Sequence, residues 1–202
     1  LQRDVLSAFF ARERGFYLTG GAALAGFYLH HRETTDLDLF TLDDTTFERG
    51  RRVLEGVARS LGASVVVRQH EPGFERYVIE RGLEALIVDL VRESAPQTAG
   101  DKIDRDGIRL DPAPEILANK LNTILSRGEV RDLVDVLLLE RAGYNVELAL
   151  PAALMKDGGC TPATLAWVLS QVTVDENASF PAGISGHELK TFIAGLVRRL
   201  RI

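Results

Sequence analysis

Hydrophobic and polar positions change period along this chain, and the changes mark out its elements. Over residues 2–14, Val5, Leu6, Phe9 and Phe10 share one helical face, with Arg3, Asp4, Arg12 and Glu13 elsewhere, and Gly15 ends the run. Residues 16–19 read as a short, aromatic-rich strand. Gly20-Gly21 reads as a turn, followed by a helix over 22–30. Residues 35–41 (TDLDLFT) alternate polar and apolar, as a half-buried strand does. Asp44-Thr45-Thr46 can cap a helix over 47–61 that Gly62 closes. Residues 63–69 form a β-rich run. Segments 74–81 and 83–92 predict a hairpin around Arg81-Gly82. Residues 95–106 read as a polar loop and 108–110 as a short edge strand. Beyond Pro112 the pattern is helical over 114–126, 130–142, 146–155, 162–172 and 187–201. Pro114 and Pro162 suit first-turn positions, and 175–186 is a loop.

This pattern predicts an α/β (α+β) protein, with a small mixed-sheet core over 1–111 followed by a C-terminal helical bundle over 112–202. The later strands lie too close together for repeated βαβ units, which argues against a doubly wound parallel sheet. Composition agrees: of 202 residues, 46% are hydrophobic and 26% charged, as in a folded globular protein. The net charge of -5 speaks against broad nucleic-acid binding and leaves room for a local basic groove. The single cysteine, Cys160, excludes an internal disulfide and a Cys₄ zinc site, and fits a reducing compartment. No apolar run approaches the roughly 20 residues that span a bilayer. The N-terminal segment lacks a signal-peptide pattern. The expectation is a cytoplasmic protein with no membrane partner.

The chemistry concentrates in residues 18–41. Asp36 and Asp38 stand two apart on a strand, so both side chains leave the same face, while Leu37 and Leu39 point into apolar packing. Two adjacent carboxylates repel unless a cation neutralises them, and Mg²⁺ or Mn²⁺ commonly bridges such oxygens to a substrate phosphate. Gly20 and Gly21 stand where a strand gives way to a helix. Backbone without β-carbons can approach a phosphate there, and the free N–H groups of the helix start favour an anion. Together these features suggest a nucleoside-triphosphate site. Read singly, either pattern also fits a plain surface strand or turn.

The ordered run Gly-Gly-x-Ala-Leu-Ala, then His-Arg-x-Thr-x-Asp-Leu-Asp-Leu-Phe, resembles the nucleotidyltransferases of the AbiEii/AbiGii toxin group, within the DNA-polymerase-β-like superfamily. The resemblance spans roughly residues 15–142. It implies a nucleotidyltransferase core, with Asp36 and Asp38 as metal ligands and Asp89, in the strand LIVDLV, as third acidic position. It also implies that Lys120 reaches the nucleotide phosphates and that Asp132 orients Lys120 or the nucleotide, with Arg127, Arg131 and Asp135 at further matching positions. His31 and Arg32 would support the site's electrostatics, and Arg32 and Thr35 join Gly20 and Gly21 as nucleotide-binding candidates. Ala22 departs from the pattern, because family members often carry threonine after the glycine pair. Read without the resemblance, Lys120 is a solvated helix residue, and Asp132 and Asp135 are charges that complement a helix dipole.

The implied reaction is Mg²⁺- or Mn²⁺-dependent transfer of a nucleotide from an NTP to an acceptor hydroxyl. In the resembled group, some members modify tRNA 3′ ends as toxins paired with a cognate antitoxin. Alternatives are an antibiotic or protein acceptor, or an inactive nucleotide-binding partner protein. Arg49, Arg51 and Arg52 form either a basic patch for RNA or an ordinary solvated helix face. Residues 143–202 carry no motif.

Overall fold

The structure, a computed structural model, describes residues 1–201 and divides into two compact units. The first comprises residues 1–27, 33–94 and 101–111; the second comprises 28–32, 95–100 and the chain from Pro112 on. The boundary between Asp111 and Pro112 is where the sequence turns helical. Two short segments from the N-terminal half nevertheless pack with the helical unit.

The first unit is built on one sheet of seven strands: β1 (Tyr17–Thr19), β2 (Asp36–Thr41), β3 (Ser64–Glu71), β4 (Phe74–Arg81), β5 (Glu84–Arg92), β6 (Ile103–Arg105) and β7 (Ile108–Leu110). Their order is β3-β4-β5-β2-β1-β7-β6. The pairs β2–β5 and β1–β7 are parallel and the others antiparallel, so the sheet is mixed, as the spacing of the strands predicted. Helices α1 (Gln2–Phe10) and α3 (Asp44–Ser60) pack on each other, α3 against β2, β3 and β5 and α1 against β7. Asp43 caps α3 by accepting the Thr46 N–H at 2.7 Å, one residue before the predicted cap.

The first helix stops at Phe10, short of the expected residue 14. Glu13 turns inward there, where its carboxylate accepts the Gly15 N–H and an Arg49 bond. The expected loop over 95–106 contains β6, joined to β7 by Asp106-Gly107 with φ of 50° and 77°. That is a two-residue turn with both central residues at positive φ, and Asp-Gly is its usual sequence. In consequence β7 is an interior strand and β6 takes the edge. Gly20-Gly21 is the opening of helix α2 (Gly20–Ala23), which runs on as a π-helical turn over Leu24–Tyr28. It ends before residue 30, where His30 adopts a positive φ of 49°.

In the second unit, α4 (Ala113–Ser126) is the hub, packing on α5 (Val130–Arg141), α6 (Val146–Lys156) and α7 (Pro162–Gln171). The last helix, α8 (Gly186–Leu200), packs on α5 and α7. Ile116, Leu117, Leu121 and Ile124 of α4 and Leu133, Leu137 and Leu139 of α5 are buried. Glu115, also buried, pairs with Lys156 at 2.5 Å and accepts from Thr98 and from the Ala99 N–H. Those bonds attach the 95–100 segment to this unit. No helix among the described residues is long and apolar enough to cross a membrane.

Candidate active site

The sheet of the first unit has two unlike faces, and its register says which residues share each. Leu39 pairs with Leu90. A β-carbon on Gly50 of α3 would press on Phe16 and on Leu90, so α3 lies on the Leu39/Leu90 face. Burial along β2 alternates, with Leu37 and Leu39 wholly buried and Asp36 and Asp38 half-buried. Asp36 and Asp38 therefore project together from the face opposite α3.

At the level of Asp38 a polar row crosses the sheet. Thr19 pairs with Asp38, Asp38 with Asp89, Arg76 with Asp89, and Gln69 with Arg76. Beyond Thr19, the row continues into Asp111, whose carboxylate accepts the Thr19 hydroxyl at 2.6 Å and the Lys102 ammonium at 2.5 Å. Lys102 also stands over the Tyr17 ring, 3.8 Å from its centroid.

Gly20 adjoins this row in a conformation only glycine holds easily, with φ of 63°. A β-carbon there would collide with the Asp38 carboxylate. Gly20→Ala is expected to lose about 1–2 kcal/mol of stability from backbone strain, read by thermal denaturation. It should also displace the Asp38 carboxylate and cut nucleotide transfer. A variant with unchanged stability and rate would show that this close approach has no consequence.

The Asp36 carboxylate accepts the Thr34 hydroxyl at 2.6 Å, and the same hydroxyl also bonds the Asp36 backbone. Asp89 is buried, and both its oxygens accept from the Arg76 guanidinium, at 2.8 and 2.7 Å. The bonds to Asp89 hold Arg76 firmly in its charged form, against the opposing effect of burial and with help from the Asp89, Asp38 and Asp36 charges. The pair Asp36–Asp38 fits a hard divalent cation: both donors are carboxylates on one face, they reach solvent, and the lack of a β-carbon on Gly20 lets the Asp38 carboxylate lie against that backbone. Among the described residues, no three His, Cys, Asp or Glu side chains stand close enough to share one ion.

The second unit gathers the other predicted residues. Lys120 of α4 is buried, and its ammonium lies 2.6 Å from Asp132 and 2.7 Å from Asp135, both on α5 and both with 0% side-chain exposure. It is not a solvated helix residue, and the two aspartates are not surface charges at a helix start. Asp132 also accepts from Arg127, and Asp135 from Arg32. The His31 Nε2–H donates to Asp135 at 2.8 Å, while its buried Nδ1 has no hydrogen-bond partner. Burial alone would push the Asp135 carboxyl up. The His31 bond, the Lys120 charge and the Arg32 and Lys120 bonds outweigh burial and hold it well below the usual range.

The structure thus collects Gly20, Asp36, Asp38 and Asp89 in one unit and Arg32, Lys120 and Asp132 in the other. Gly21 is the second residue of α2. The Thr35 side chain is exposed, and its carbonyl accepts the Ile87 N–H in the sheet. Arg49 pairs with Glu13 and Arg51 with Glu55, which favours an ion-paired helix face. Sequence reading assigned no role to Thr34, Arg76, Lys102 or Asp111. Only Thr34 carried a local signal, a hydroxyl two residues before an aspartate.

Comparison with known proteins gives the chain a family and a fold. The family described as nucleotidyl transferase AbiEii toxin, type IV toxin–antitoxin system, matches residues 4–189. A comparison with curated proteins gives no match. A solved structure from H. pylori, described only as a candidate nucleotidyltransferase, aligns at 18% identity with a TM-score of 0.56, covering 99% of this chain and 93% of that one. JHP933 from Helicobacter pylori aligns at 18% identity and TM-score 0.57, covering 99% and 90%. At that identity the likeness is one of fold. The match over 4–189 shows more: this chain belongs to the AbiEii family of nucleotidyltransferase toxins.

Proposed function

We propose that the protein transfers a nucleotide from an NTP to a hydroxyl at the 3′ end of tRNA, as the toxin of a toxin–antitoxin pair. Asp36 and Asp38 would hold Mg²⁺ or Mn²⁺, with Asp89 as third carboxylate. The observation that carries the metal-dependent transfer in this reading is the pair of carboxylates on one sheet face, with Gly20 bare against Asp38. A divalent ion bound there would supply charge neutralisation for the triphosphate and a lowered pKa for the acceptor hydroxyl. Gly20 and Gly21 would receive phosphate oxygens on backbone N–H groups, with Thr35 as a further nucleotide contact. The acceptor oxygen forms a bond to the α-phosphorus, the bond to the β-phosphate bridging oxygen breaks, and pyrophosphate leaves. The hydroxyl proton passes to Asp89 or to water. A lone buried cysteine suits the cytoplasm, where a cognate antitoxin would also reside.

Incubation with labelled NTPs, Mg²⁺ and total tRNA tests the acceptor. Label is expected on the tRNA 3′ end, lost when that end is oxidised with periodate. Label on added protein or on an antibiotic, with none on tRNA, would move the assignment to that acceptor class. Four separate NTPs in parallel reactions read the nucleotide preference.

A further inference from the structure

The register of the sheet puts Asp89 between two unlike neighbours. On β2 it faces Asp38, and on β4 it faces Arg76. Three carboxylates, Asp36, Asp38 and Asp89, therefore lie on two adjacent strands of one face, a repulsive arrangement that needs a cation. The chain supplies one of its own. The Arg76 fork takes both oxygens of Asp89, and a bidentate guanidinium–carboxylate pair is among the stronger polar contacts in a protein. The guanidinium also feels the charges of Asp38 and Asp36.

We infer that Arg76 is a positioning residue that holds Asp89 back from the ion: as the chain stands, no three such side chains among the described residues can share one ion, and a divalent ion on Asp36 and Asp38 must take Asp89 from Arg76 to gain a third protein ligand. The inference rests on the reading of Asp36 and Asp38 as metal ligands. Exposure favours the exchange. The Arg76 side chain is 44% exposed and can withdraw into water, whereas Asp89 at 8% stays where the strand fixes it. Phe74, two residues away on β4, offers a second seat, because the guanidinium stands 5.6 Å from that ring's centroid. Arg76 thus lowers the intrinsic metal affinity of the three carboxylates while sparing them their mutual repulsion when no ion is bound.

The consequence is measurable as Mn²⁺ binding by the full chain without nucleotide, with free Mn²⁺ read by electron paramagnetic resonance. Arg76→Met should tighten Mn²⁺ binding by about tenfold, the worth of one charge-assisted contact. Arg76→Lys keeps the charge and loses the fork, and should fall between. The decisive comparison repeats Arg76→Met in an Asp89→Asn background, where the gain should shrink to about twofold or less if the effect runs through Asp89. An equal gain in both backgrounds would mean that Arg76 acts only as a nearby charge, and unchanged or weaker Mn²⁺ binding in R76M would mean that it does not compete; either result overturns the inference. If wild type, R76M and D38N all fail to bind Mn²⁺, the metal-site reading fails and this inference with it. Binding by wild type that is lost in D38N but insensitive to Arg76 leaves the former standing and removes the latter. Circular dichroism checks that each variant is folded.

Discussion

Asp38→Asn is expected to lose about a thousandfold or more of its nucleotide-transfer rate, on the order of 4 kcal/mol of transition-state stabilisation, while keeping its fold. The size follows from what the side chain would do. An amide has nearly the shape of a carboxylate, but it carries no charge and binds a divalent cation weakly. The stability expectation points the other way. Asp38 stands beside Asp36 on β2 and opposite Asp89 on β5, so removing its charge relieves repulsion on that face. Thermal denaturation should give an unchanged or slightly higher melting temperature. A variant that is more stable and almost inactive is the signature of a group kept for function at a cost in stability. Pyrophosphate release under saturating NTP and Mg²⁺, beside the melting curve, reads both quantities. Transfer within a few-fold of wild type would remove Asp38 from the catalytic machinery.

How much of this was legible in the sequence depends on the range of the interaction that defines each feature. The alternation in TDLDLFT is a local, period-two signal, and it placed Asp36 and Asp38 on one face and Leu37 and Leu39 on the other. The helix read over 47–61, observed over 44–60, and the hairpin of β4 and β5 followed from caps and turn residues a few positions apart. The Asp-Gly at 106–107 was equally local, and overlooking it cost the β6 strand and mislocated the sheet edge. Arg76 is different in kind. It lies 13 residues from Asp89, and only the register of β4 on β5 brings the two together. Asp111 reaches Thr19 across 92 residues of sequence, through a parallel pairing of β1 with β7 that no local pattern encodes. The aspartates of α5 are a third case. Their helical spacing was readable, but their complete burial was not, because burial depends on which face α4 presents.

That burial makes Lys120→Met the substitution with the largest expected effect on stability. Asp132 and Asp135 have no exposed side-chain surface, and the Lys120 ammonium lies within 2.7 Å of both. Without it, Asp135 keeps His31 and Arg32, but among the bonds that hold Asp132 only that from Arg127, at 3.2 Å, remains. Stripping one partner from a buried ion pair costs about 3–5 kcal/mol, because the remaining charge stays out of water and uncompensated. Urea denaturation should report a loss in that range. Neutralising the buried, uncompensated carboxylate should recover part of it, so Lys120→Met with Asp132→Asn should be more stable than Lys120→Met alone. The double variant also separates the two roles proposed for this lysine. If Lys120 touches nucleotide phosphates as well as holding α5, the KM for NTP stays raised in the double variant although stability returns. If its work is confined to Asp132 and Asp135, KM returns with stability. A loss under about 1 kcal/mol for Lys120→Met would show that the two aspartates do not depend on the ammonium, and the account of this cluster as a buried ionic lock would fail.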